Sequence, residues 1–143
     1  MRLMVSRMNG VSVLATEGEL TTMTAVDFLR QARSAVASSI APLIALDLGR
    51  LGRIDSTGCA ALLQLRREIM GRRGHLCLFR LGSEVRWLIE VMQAHVILDI
   101  APDLPGALAA LGIEAGPVVD GTGTPGRGRF EGGGDTAPQR LAS

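Results

Sequence analysis

The stretch Leu43-Ile44-Ala45-Leu46-Asp47-Leu48 leads, through Gly49 to Ile54, into Asp55-Ser56-Thr57-Gly58 and then Leu62, Leu63, Leu65 and Ile69. The first six residues form an almost continuous apolar run of strand length behind Pro42, the pattern of a central strand covered on both faces. Gly49 to Ile54 reads as a short loop. Asp, Ser and Thr are favoured at helix starts, and the apolar residues that follow keep a helical period until Gly71 and Gly74 end it. A buried strand feeding an apolar helix through a polar turn is half of a βαβ unit.

Working outward, His75-Leu76-Cys77-Leu78-Phe79 is a second buried-type strand. Ser83 is expected to cap a third helix, in which Val85, Leu88, Ile89 and Met92 hold the i, i+3, i+4, i+7 pattern. Val96 to Ile100 reads as a short last strand or extended segment, and Pro102-Asp103 opens a short helix carrying Leu104, Leu108 and Leu111. Toward the N-terminus, residues 2 to 6 and 11 to 16 are β-prone runs around Met8-Asn9-Gly10, and Asn-Gly between apolar segments predicts a hairpin. After a polar stretch from Glu17 to Thr22, Ala25, Phe28, Leu29, Ala32 and Val36 predict a helix over residues 23 to 38, with threonines able to cap it. The sum is a one-sheet α/β domain over residues 1 to 112. From residue 113 glycine and proline dominate, so residues 113 to 143 are expected to be a disordered tail, either a plain solvated extension or a regulatory one.

The totals narrow the function. At 143 residues the chain suffices for one domain. Its net charge of +1 gives no pull toward a polyanion, and with 3% aromatic residues and no tyrosine it lacks base-stacking platforms, so no nucleic-acid partner is expected. Cys59 and Cys77 sit in apolar runs without metal-ligand spacing and read as buried thiols of a reducing compartment. An early Arg7 interrupts any secretory core and no stretch suits a membrane helix, so a cytoplasmic protein without direct membrane insertion is expected. No phosphate loop, nucleophile elbow or converging acid, base and nucleophile is present, and His75 and His95 read as partly buried or surface residues. No enzyme activity, metal or cofactor is expected.

What remains is Asp55-Ser56-Thr57-Gly58. The first turn of a helix has unpaired N–H groups and the positive end of the dipole, so a phosphate on Ser56 would be held without unfolding the domain. Such a group adds nearly two negative charges beside Asp55 and would repel a partner that packs there. Ordinary capping also explains the same residues. Gly58, lacking a side chain, would let a partner's backbone come close. Trp87 falls off the apolar stripe of its helix and is either an exposed partner contact or a ring half-buried along the helix. Arg66, Arg67, Arg72 and Arg73 cluster at the end of the second helix, as a solvated basic face or a site for an acidic partner.

The order Leu46-Asp47-Leu48, Ile54-Asp55-Ser56-Thr57-Gly58, Leu62-Leu63 and Gly74 before Leu76-Cys77-Leu78-Phe79 resembles the STAS family, as does Gly18-Glu19-Leu20 at the entry to the first helix. This is the domain of bacterial anti-sigma factor antagonists, also found on the tails of sulphate transporters. The resemblance covers residues 2 to 112 and implies an α/β fold with a single mixed sheet of four to five strands and about four helices. It further implies that Ser56 is phosphorylated by a serine kinase that doubles as the anti-sigma factor, that a PP2C-type phosphatase resets it, and that the unmodified form binds the kinase. Asp55 would orient the helix start, Thr57 and Gly58 would lie at the contact surface, and the loop after Gly18, including Thr21, would complete it. Many phosphorylated members carry an acidic residue where this chain has Thr21. The alternative within the family is an unphosphorylated subunit of a scaffold or lipid-transport complex.

Overall fold

A computed structural model describes residues 1–112; the predicted tail lies outside the described residues. The chain runs through β1 (Arg2–Met8), β2 (Val11–Leu20), α1 (Ala25–Ala35), β3 (Leu43–Ile54), α2 (Ser56–Gly71), β4 (His75–Phe79), α3 (Ser83–Val91), a 3-10 turn (Ala94–Val96), β5 (Asp99–Ala101) and α4 (Leu104–Ala110). The five strands form one sheet in sequence order. β1 and β2 pair antiparallel as the predicted hairpin, and the remaining neighbours pair parallel. Asn9 and Gly10 both take positive φ, as a tight turn between right-twisted strands requires.

Alternation along the strands sends side chains to two cores. Leu14, Ile44, Leu46, Leu76 and Leu78 meet Phe28, Leu62, Leu65 and Ile89 under α1, α2 and α3. On the other face Val11, Ala45, Cys77 and Phe79 meet Leu108 of α4 and Leu111 just after it. Both cysteines are free and buried, and burial pushes the Cys77 thiol up to about 11. His75 and His95 are exposed.

The structure corrects several predicted boundaries. Gly49 to Ile54 is not a loop but the second half of β3, paired with a β2 that continues to Leu20. Two register shifts, between Ala15 and Glu17 and between Gly18 and Glu19, break the simple alternation there, while Leu51 and Ile54 still point into the core. α1 spans Ala25–Ala35 rather than 23 to 38, and Thr24 makes no side-chain cap bond. Its hydroxyl instead accepts from the Thr21 amide at 2.9 Å and donates to the Glu19 carbonyl at 2.8 Å. Gly82, not Ser83, precedes α3 as its cap residue. The segment 96 to 100 divides between the 3-10 turn and β5.

Arg72 is part of the framework. It donates to the Val36 carbonyl at 3.0 Å and to the Ser39 carbonyl, tying the end of α2 to the turn after α1. Arg33 of α1 and Glu68 of α2 form a two-point bridge at 2.7 and 2.6 Å, and that bond holds the Glu68 carboxyl down to about 2.

Candidate functional site

α2 begins where β3 leaves the sheet, so its first turn stands at the edge of the molecule, next to the loop that joins β2 to α1. Asp55 is its N-cap in extended conformation, and its Oδ1 accepts from the Gly58 amide at 2.9 Å. Its Oδ2 reaches across to the other loop. There it accepts from the Thr22 amide at 3.0 Å and from the Thr22 hydroxyl at 3.2 Å. The same hydroxyl lies 3.1 Å from the Thr57 hydroxyl. The Gly58 and Thr22 amides hold the Asp55 carboxyl below the ordinary carboxylate range, so it is ionised at neutral pH.

Ser56 is the first residue of the helix and is exposed, as is Thr57. The structure therefore brings Asp55, Ser56 and Thr57 together at one surface. Thr22, which the sequence reading passed over, belongs to the same cluster. Nothing local marks it, since its partner Asp55 lies 33 residues away.

Thr21 contributes to the turn rather than to the cluster. Its carbonyl accepts from the Thr24 and Ala25 amides, and its side-chain oxygen accepts from the Met23 amide at 3.3 Å. Gly18 is exposed on β2 at φ +111°. Gly58 departs from its predicted role, because it is buried and faces inward. A Cβ there would sit 2.0 Å from the Leu20 carbonyl oxygen, so the missing side chain admits the chain's own backbone, not a partner's. Trp87 is 62% exposed on α3, and no hydrogen bond joins it to the Ser56 cluster.

Beside Thr57, a shallow groove between α1 and α2 is lined by Val26, Leu29, Ala60 and Gln64. Val26, at its α1 side, is 79% exposed, and Met23, just before α1, is 89% exposed. A polar cluster with one free hydroxyl thus borders an apolar strip, an arrangement suited to holding a protein surface. Among the described residues no helix is long and apolar enough to cross a membrane.

Solved structures with the same fold include a Thermotoga maritima protein described as an anti-sigma factor antagonist, at a TM-score of 0.71 and 17% identity, covering 77% of this chain and 94% of that one. An anti-sigma factor antagonist from Mycobacterium paratuberculosis matches at a TM-score of 0.69 and 23% identity, covering 78% and 93%. The murine anion transporter Slc26a9 matches at 0.67 and 14% identity, covering 75% of this chain but 18% of the transporter. No curated protein sequence matches the chain significantly. The STAS domain family model matches residues 2–107, and the chain belongs to that family.

Proposed function

We propose that this chain is a partner-switching module of the anti-sigma factor antagonist type, which binds a serine kinase that is also an anti-sigma factor and is released by phosphorylation at Ser56. The observation that carries this reading is an exposed hydroxyl at the first position of α2, seated in a frame that needs no help from it. Both oxygens of Asp55 are already engaged by Gly58 and Thr22, so a phosphate on Ser56 replaces no internal bond. It gains the dipole of a 16-residue helix and adds charge next to an ionised carboxylate. The fold stays and the surface becomes more negative, which is the economy a switch requires. A PP2C-type phosphatase would reset it, and the role is one of binding rather than catalysis in the cytoplasm.

The test is incubation with the partner kinase and ATP followed by mass spectrometry, which should place one phosphate on Ser56. Ser56→Asp is expected to weaken the complex by about tenfold or more, and Ser56→Ala to leave it intact. Equal affinities for the two variants contradict the mechanism. The likeness to part of an anion transporter favours a second reading, an unmodified subunit of a membrane-associated scaffold or lipid-transport assembly. Copurification separates them, since one predicts a small kinase and the other a membrane complex.

A further inference from the structure

The solvent face of α3 carries side chains that the Ser56 site does not use. Trp87 and Val91 lie one turn apart and are 62% and 55% exposed. Val96 and Ile97, immediately after the helix, are 73% and 48% exposed. Exposed apolar residues scattered singly are ordinary, but with Met92 there are five within eleven positions, a concentration that soluble surfaces seldom carry uncovered.

Charge indicates what covers them. Arg86 and Glu90 are also one turn apart, both exposed, and lie on the flank beside Trp87. Neither takes part in an ion pair among the described residues. When two copies of a helix pack antiparallel about a two-fold axis, the same flank of each meets the other with its direction reversed. Arg86 of one copy then lies opposite Glu90 of its partner, and Glu90 opposite Arg86, with Trp87 and Val91 packed alongside the two pairs. A helix with one charge, or two alike, on that flank would repel its own image; this one complements it.

We infer that a second copy of this chain docks on α3, forming a symmetric dimer through Trp87 and Val91, flanked on one side by reciprocal Arg86–Glu90 pairs. An interface built mainly from one short helix is small, so the dimer dissociates in the micromolar range. This inference is independent of whether Ser56 is modified.

Sedimentation equilibrium of the full chain through the micromolar range should show the mass rising from monomer toward dimer. The chain has a single tryptophan, so its emission should shift to the blue over the same range. Trp87→Ala should raise the dissociation constant at least about tenfold, and because the ring is exposed the fold should be unaffected. Arg86→Glu alone and Glu90→Arg alone should each weaken association by about tenfold, since like charges then face each other, and the double variant R86E/E90R should restore it. A chain that stays monomeric throughout overturns the inference. So does a dimer that survives Trp87→Ala, or a double variant no tighter than the single ones.

Discussion

Two helices of this protein start in nearly the same way. α2 begins with Asp55-Ser56-Thr57-Gly58 and α4 with Asp103-Leu104-Pro105-Gly106, and in each the aspartate accepts from the glycine amide three residues on at 2.9 Å. The cap is therefore generic. The difference is in what surrounds it. Asp103 has no side-chain bond beyond its own helix among the described residues, and Leu104 packs against the α4 core. Asp55 is tied to Thr22 of another loop, and the residue after it is an exposed hydroxyl. A capped helix becomes a candidate switch when a second segment anchors the cap and leaves the first helical side chain free.

The two glycines give the sharpest break in the comparison. A Cβ on Gly58 would lie 2.0 Å from the Leu20 oxygen, a backbone atom held in the sheet. Gly58→Ala is expected to destabilise the domain by about 3 kcal/mol, because helix and strand must separate. At Gly106 the nearest atoms are 3.1 Å and farther, the closest belonging to the Asp103 side chain. Gly106→Ala should stay within about 1 kcal/mol, since the modest crowding is offset by better helix propensity. Denaturant midpoints of the two variants check both values; similar losses would mean that the approach of α2 to Leu20 is not tight.

Removing the caps comes next in size. Asp103→Ala costs about 1 kcal/mol, the usual value of an N-cap. Asp55→Ala should lower the denaturation midpoint further, since it also frees the loop around Thr22. Matching midpoints would show that the cross-loop bonds contribute nothing.

Acid should weaken the Asp55 cap. The Asp55 carboxyl is lowered in the folded state, first by the Gly58 amide and then by the Thr22 amide. Its contribution is complete above the unfolded value, about 3.9, and fades as pH falls through the lower folded value. Asp55→Asn should therefore flatten the acid limb of the stability curve. Glu68, held to about 2 by Arg33, also titrates in the acid range and must be left intact in the comparison.

What could be read from sequence follows the range of the forces involved. Asp55 as a cap, the helix after it and the Asn9-Gly10 turn depend on neighbours within four residues, and all were legible. The second half of β3 was not. Gly49, Arg50, Gly52 and Arg53 look like a loop until Glu17 to Leu20 pair with Arg50, Leu51, Arg53 and Ile54 across two register shifts. Gly58 misled for the same reason: its constraint comes from Leu20, far earlier in the chain. Exposure of Ser56 is a tertiary property too, since a cap motif alone does not say which side chain the rest of the molecule leaves uncovered.

The smallest effect tests the most specific part of the comparison. Thr22→Val keeps the amide that bonds Asp55 Oδ2 at 3.0 Å and removes only the hydroxyl shared with Asp55 and Thr57. Because Thr22 is exposed, water replaces much of what is lost, and stability should fall by only about 0.5 kcal/mol. The hydroxyl nevertheless orients two neighbours of Ser56, so partner affinity should drop more than stability does. If the two losses are equal, Thr22 merely stiffens its loop; if affinity falls alone, the hydroxyl belongs to the surface the partner reads.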